Sequence, residues 1–379
     1  MRMVAYLDYN ASAPIESEVT KYMIDIYTHN IGNASSRTHL YGAQAKEVVE
    51  KSRKIIANIL DLDQMEVIFT SGSTESNNTA ILGLEKYARE SGKNHFITSS
   101  IEHKAVIEPM KYLEKQGFIV DFIDPDENGR ISADKVIDKI TDRTVMVSIM
   151  HVNSETGIIQ PVQEIGNFLK DKDVYFHIDA TQSFGKLNAE LREIQYDLLS
   201  VSAHKIRGPQ GIGAIILKRK KHLRDNIAPL ILGGGQEFGF RSGTLPVALI
   251  GGFGKAAEFC EKIGSIRKAK CKEIKNQLLK DIDCTEYVIN GDSNYCMDNT
   301  INLSFKDVDA EGIFVATKDY YAMSNGSACV SGAYTTSYVL KAMGLDEKRI
   351  SEAVRISWDY DTVVDFSKLV SYVRGQQEE

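Results

Sequence analysis

Between residues 66 and 217, short β-branched apolar runs alternate with stretches of helical period. The runs 66–70, 95–100, 119–123, 144–150, 174–179, 197–202 and 214–217 read as strands. Helices are predicted over 79–87, from about 105, over 132–140, and after Pro161, which opens a helix at its favoured first position. This alternation implies a mainly parallel sheet with helices on both faces, the α/β class. Upstream, residues 1–15 read as an arm, 32–39 (G-N-A-S-S-R-T-H) as a polar loop, and 43–60 as a helix with Val48, Ile55, Ile56 and Ile59 on its apolar face. Downstream, Gly233 to Gly235 and R-S-G-T-L-P (241–246) form a polar loop, and the helix 247–263 is the expected domain junction. Strands at 299–305, 320–323 and 354–358 among helices predict a smaller α+β unit. The 379 residues suffice for two domains: a large one over 16–258, and a small one from 1–15 with 259–379.

Open α/β sheets hold ligands beyond the C-terminal ends of their strands. The strand V-Y-F-H-I-D ends in Asp179, and the next one runs into S-A-H-K, which brings Lys205. Each alone has an ordinary explanation, Lys205 as a solvated loop charge and Asp179 as a turn or cap residue. Together they are the pair that pyridoxal phosphate (PLP) needs. An amine forms the Schiff base, and a carboxylate keeps the pyridine nitrogen protonated so that the ring accepts electrons. The strand 66–70 meets S-G-S-T-E-S-N-N and then a helix, which is a built anion site of backbone N–H groups and helix dipole. Ser73 and Thr74 add hydroxyls there, although such residues also cap helices for structural reasons. His103 follows the strand 95–100. It is either a surface histidine or, in a PLP site, an imidazole that stacks on the ring and moves protons. Cys329 lies in M-S-N-G-S-A-C-V-S-G, where small neighbours give access to its sulfur. The alternative is an incidental exposed thiol.

With 43% hydrophobic and 26% charged residues, the chain has the composition of a soluble globular protein. A net charge of −7 argues against a broad basic surface for nucleic acid. No apolar run is long enough to cross a membrane, and the N-terminus lacks a signal-peptide core, so a cytoplasmic location is expected. The five scattered cysteines form no C-x-x-C pair and no zinc-type spacing, so no metal is expected.

The motifs T-S-G-S-T-E-S-N-N, I-E-H-K-A-V, S-I-M-H-V-N, H-I-D-A-T-Q-S, S-A-H-K-I, R-S-G-T-L-P and S-N-G-S-A-C together resemble those of the PLP-dependent cysteine desulfurases. These belong to the class V aminotransferase superfamily of fold type I, and the resemblance covers nearly the whole chain. It implies Lys205 as the Schiff-base lysine, Cys329 as the persulfide cysteine, His103 as the stacking histidine and Asp179 as the pyridinium partner. It implies Gln182 as the hydrogen-bond partner of the ring's phenolic oxygen. Ser73, Thr74, Ser202 and His204 match phosphate binders, and Thr244 matches a phosphate contact from the other subunit of a homodimer. Arg355, in V-R-I-S-W, matches the arginine that takes the substrate carboxylate, a task suited to a bidentate guanidinium. Asn33 matches a further substrate contact.

Two positions depart from the family pattern. H-V-N-N-E is H-V-N-S-E here, which places Ser154 where an asparagine lies near the cofactor. S-G-H-K is S-A-H-K, which adds a methyl at Ala203. The resemblance implies conversion of L-cysteine to L-alanine, with sulfur held on Cys329 and passed to a partner protein. Three stretches look most like the desulfurases of DNA phosphorothioation systems (Dnd and Ssp type): G-N-A-S-S-R-T-H, the run from Gly233 to Ile250, and the run from Ser324 to Arg355. A C-terminus shorter than that of iron–sulfur desulfurases and the acidic balance agree with an enzyme that does not itself touch DNA. General desulfurases for iron–sulfur assembly or tRNA thiolation share the core motifs. A class V aminotransferase or selenocysteine lyase would also keep Lys205 and Asp179, and a non-catalytic binding subunit would not need Lys205.

Overall fold

A computed structural model describes residues 4–326 and 336–378. Seven strands form one sheet: β2 (Val67–Thr70), β3 (His95–Ser99), β4 (Ile119–Ile123), β5 (Thr144–Met150), β6 (Tyr175–Asp179), β7 (Leu198–Ser202) and β8 (Gly213–Leu217). They follow β1 (Ala5–Tyr6) of the arm. The sheet order is β2-β8-β7-β6-β5-β3-β4. The pairs β3–β4, β3–β5, β5–β6 and β6–β7 are parallel, while β8 is antiparallel to both neighbours. The reversal at β8 has a local cause. Only a short turn and a single 3₁₀ turn (Ala203–Lys205) separate it from β7, and a parallel return needs a crossover helix.

The strands are buried on both faces except edge strand β4, which is why they read as continuous apolar runs. Successive residues feed opposite cores. Val67, Phe69, Ile178 and Val201 pack with Val49, Ile56 and Phe253 on one side. Ile68, Phe96, Met146 and Ile215 pack with Ile81, Val106 and Met110 on the other.

A second, antiparallel sheet has the order β12-β10-β9, from β9 (Tyr287–Ile289), β10 (Thr300–Phe305) and β12 (Ala353–Ser357). The arm's β1 pairs with β11 (Tyr321–Ala322). This unit has its own core, including Leu7, Leu303, Ile356, Trp358 and Phe366. The helix Val247–Ile282 runs 36 residues from one core to the other, well past the expected end at 263. Beyond that point its buried stripe contains Arg267 and Lys275 beside Cys271, Leu278 and Ile282, so charges mask the helical period. The division we propose at 258/259 falls within this helix, before the cores change over: Cys260 still packs in the first core, and Cys271 packs in the second. Val339, Leu340 and Ile350 pack into the core of the larger sheet. No helix among the described residues is long and apolar enough to cross a membrane. Cys260 and Cys271 are buried, Cys296 is partly buried and Cys284 is exposed, and all four are free.

Asp359 joins these parts. Its carboxylate accepts from Arg267 Nε (2.7 Å) and Nη2 (2.6 Å) on the long helix and lies 3.4 Å from Arg207 Nη1. Asp359→Ala leaves Arg267 as a buried charge without its counter-ion. Urea unfolding is expected to show a loss of about 3–5 kcal/mol; a loss under about 1 kcal/mol, the size of an exposed pair, would contradict this account.

Candidate active site

Six strands of the large sheet end at the same edge, and the segments after five of them (β2, β3, β5, β6 and β7) line a cavity of about 240 Å³. Ser73, Thr74, His103, Ser154, Asp179, Gln182, His204, Lys205 and Arg355 all line it. Sequence reasoning therefore singled out residues that the fold brings together from nearly three hundred positions of separation. Three do not line the cavity. Ser202 is buried at the end of β7, with its Oγ 3.9 Å from where a Cβ on Gly72 would lie. Asn33 and Thr244 are exposed, and Asn33 accepts a turn-forming bond from Ser35 N (2.9 Å). Cys329 lies outside the described residues.

Asp179 ends β6, and β6–β7 pairing sets it opposite Ser200, five residues before Lys205. Its Oδ2 accepts from Asn77 Nδ2 (2.7 Å), and its Oδ1 accepts from Thr181 N (3.0 Å) and the Thr181 hydroxyl. Asn77 sits one turn into the helix Ser73–Leu82, so the same helix that presents Ser73 also orients the carboxylate. Beneath Asp179, His177 is fully buried between Ser148 Oγ (2.8 Å) and Ser200 Oγ (2.9 Å). Burial pushes its imidazole down to about 4.

Lys205 Nζ donates to the main-chain carbonyls of Asn10 (2.7 Å) and Ala11 (2.6 Å). The arm is held there because Ala13 N donates to His204 O (2.9 Å) and Glu16 N to Arg207 O (2.9 Å). His204 is pushed down to about 4 by burial and by the cation of Lys205. His103 caps the helix Lys104–Lys115 by accepting from Ala105 N at Nδ1 (3.1 Å). In a neutral ring this leaves the proton on Nε2.

The helix Ser73–Leu82 starts after Gly72, at φ 151°, with no side-chain cap on its first N–H groups. A Cβ on Gly213 would come within 2.8 Å of Gly72 Cα, so these backbones approach as only glycines allow. On the opposite wall, Arg355 Nη2 pairs with Asp8 Oδ1 (2.5 Å) and Nη1 donates to Ser154 O (3.1 Å). Ser154 thus contributes its carbonyl to the wall. Asn10 Oδ1 and Arg355 Nε are buried polar atoms without a partner among the described residues.

PLP carries a dianionic phosphate, an aldehyde, a ring nitrogen and a phenolic oxygen. An uncapped helix start, a lysine, an oriented carboxylate and the Gln182 amide line one cavity, so the residues present fit the group.

The aminotransferase class-V family model matches residues 5–362. The chain belongs to this family. Among curated relatives, the cysteine desulfurase IscS of Pasteurella multocida is 41% identical over 362 residues, 94% of this chain and 88% of that protein. Among solved structures, DndA from Streptomyces lividans is 40% identical with a TM-score of 0.82, covering 92% of this chain and 98% of that one. SspA in complex with cysteine is 36% identical with a TM-score of 0.83, covering 95% and 100%. This class-V protein is a PLP-dependent enzyme of the cysteine desulfurase type.

Several lining or supporting residues escaped sequence reasoning. The Asn10 and Ala11 carbonyls carry no sequence signal, because any residue offers one. Asn77 had one, since it lies four residues after Ser73 and therefore on the same helix face. Asp8 and Glu155 read as ordinary polar residues. Glu155 is buried; its Oε2 accepts from Ser337 Oγ (2.5 Å), and burial raises its carboxyl. Glu102, beside His103, is fully buried. Its Oε1 accepts from Ser99 Oγ (2.6 Å) and Met150 N (2.9 Å), and burial pushes its carboxyl up to about 8.

A carboxyl raised from 4.5 to about 8 on folding keeps a proton that the unfolded chain releases. Its contribution is favourable below the lower value and is lost as pH rises through the upper one. The stability of the native protein relative to Glu102→Gln should therefore fall steadily from pH 4.5 to about 8. Thermal unfolding across that window measures it, and a pH-independent difference would exclude a protonated Glu102.

Proposed function

We propose that this enzyme converts L-cysteine to L-alanine, holds the sulfur as a persulfide on Cys329, and passes it to an acceptor protein for phosphorothioation of the DNA backbone. The observation that carries the desulfurase reading is the convergence of Lys205, Asp179, His103 and Arg355 on one cavity in a class-V chain. The pathway reading is supported by likeness to DndA and SspA across nearly the full length of both. General sulfur supply for iron–sulfur assembly is the second reading, favoured by the IscS relatives at about 40% identity.

In this reading Arg355 binds the substrate carboxylate, exchanging or sharing the place now held by Asp8. Ser73, Thr74, Ser202 and His204 hold the phosphate end, and Gln182 meets the phenolic oxygen. Bound PLP supplies an electrophilic carbonyl for the substrate amine and an electron sink for charge developing at Cα. Lys205 removes the Cα proton with its amine. The Asp179 carboxylate holds a proton on the ring nitrogen. His103, with Nε2 available, assists proton transfer near the substrate sulfur. The Cys329 thiolate attacks that sulfur: the S–S bond forms as the substrate C–S bond breaks, and its electron pair, once protonated, remains on alanine.

Asn33 and Thr244 are exposed and do not line their own chain's cavity, and exposed Ile31, Leu40, Tyr41, Leu232 and Phe238 lie in the same stretches of chain. These features support a homodimer in which a second copy brings Thr244 to the phosphate and Asn33 serves as a substrate contact, and we place that homodimer in the cytoplasm.

Two experiments test the reading. Lys205→Ala should release no alanine from L-cysteine. Cys329→Ser should still bind PLP yet form no protein persulfide, so a labile sulfur on another cysteine in that variant would sink the role of Cys329. For the pathway, the gene is deleted in its host and DNA digests are examined by mass spectrometry. Phosphorothioate dinucleotides should disappear; if they persist while iron–sulfur enzymes fail, the general reading replaces this one.

A further inference from the structure

A glutamine amide offers a donor and an acceptor of nearly equal size, and its partners decide which one faces a site. Gln182 lines the cavity. Its Nε2 donates to Asn10 O (3.0 Å), and its Oε1 accepts from Lys186 Nζ (3.3 Å). Reversal would set the NH₂ against an ammonium and the oxygen against a carbonyl. Both contacts would then be repulsive.

The chain is built to bring Lys186 back onto Gln182. Turns close through Phe184 N to Ala180 O (2.8 Å) and Lys186 N to Ser183 O (3.0 Å). Gly185 takes φ 76°, and a Cβ there would come within 2.6 Å of Ile206 Cγ2, so this turn requires glycine. Lys186 itself does not line the PLP cavity. It lines a second cavity of about 360 Å³ together with Arg267 and Cys271. The charged and titratable groups around it are Arg267, Asp359, Lys205 and Cys271, and burial with the neighbouring cations lowers its ammonium to about 7.

We propose that Lys186 is a positioning residue that holds the Gln182 amide with its N–H end toward the PLP cavity. The wall then offers a donor, and not an acceptor, to the anionic phenolic oxygen of the cofactor. A lysine outside the cavity thereby sets the polarity of a group inside it. This rests on the reading of the cavity as a PLP site.

The test is a double-mutant cycle on the full chain. PLP affinity, and the pH titration of the bound cofactor's absorbance, are measured in wild type, Lys186→Met, Gln182→Met, the double variant and Lys186→Arg. Lys186→Met and Gln182→Met should each weaken PLP binding about fivefold, the worth of one hydrogen bond, and displace the titration in the same direction. The double variant should be no weaker than Gln182→Met alone, because the lysine acts through the glutamine. Lys186→Arg, which keeps a donor, should stay near wild type. Additive losses, or a silent Lys186→Met or Gln182→Met, overturn the proposal. Lys186→Leu repeats the measurement should the methionine variant not fold. A wild-type protein that binds no PLP overturns the cofactor reading itself.

Discussion

Asp359 is buried with its carboxylate shared between Arg267 of the long helix and Arg207, two residues past Lys205. Taking a carboxylate and two guanidinium groups out of water is costly, and close pairing is what makes it tolerable. Arg207 also pairs with Asp361 (2.7 Å) and Glu16 (3.2 Å). Its backbone sits at φ 64°, an unfavourable conformation for a non-glycine residue that persists where the surroundings fix it. The turn carrying Lys205, the arm whose carbonyls receive its amine, the long helix and the small sheet therefore meet at one set of charges. Arg355 belongs to that small sheet, so its distance from Lys205 depends on the same pairing.

Around the cavity, burial acts on acids and bases in opposite directions. His177 and His204 are both lowered to about 4, whereas Glu102 is raised to about 8. Near neutral pH these groups are uncharged, so the supporting shell adds hydrogen bonds without adding charge. The polar work at the cavity falls to a few groups whose orientation is fixed by neighbours: Asp179 by Asn77 and Thr181, Gln182 by Asn10 and Lys186.

Much of this was legible in the sequence for physical reasons. Strands buried on both faces are uninterrupted apolar runs, so β4 and β5 match their expected bounds and β3, β6 and β7 lie within a residue of them. Ligand placement at strand ends then located Asp179, His103 and Lys205 without any contact information. The helix at Ser73 was expected only from 79, because Ser, Thr and Asn favour caps over helix interiors. Tertiary burial of Ser76 and Asn77 overrides that preference. The arm's role was illegible because it works through carbonyls. The long helix was illegible past 263 because its buried stripe uses Arg267 and Lys275, residues that a periodicity argument counts as solvent-facing.

The loop that carries Thr244, a residue outside its own chain's cavity, is held in place by buried contacts. Glu237 and Phe238 have φ 49° and 57°, in the left-handed region that side chains disfavour. Glu237 is buried and accepts from Arg53 Nη1 (2.8 Å), Arg53 Nη2 (2.7 Å) and Phe69 N (2.7 Å). The Arg53 guanidinium lies between the rings of Phe69 (4.8 Å) and Phe238 (5.0 Å), which adds cation–π attraction in a desolvated setting. Farther along, Arg241 pairs with Glu75 (3.0 Å) in the first turn of the helix that begins at Ser73. The loop is thus pinned at one end to the sheet core and at the other to the helix that begins at Ser73, while Thr244 stays exposed between these anchors and the long helix. As at Arg207, buried ionic contacts within the chain hold a strained backbone in place here. That arrangement suits a loop whose polar tip completes the phosphate site of a second copy, and it places Arg53 and Glu237 among the residues on which the proposed dimeric site depends.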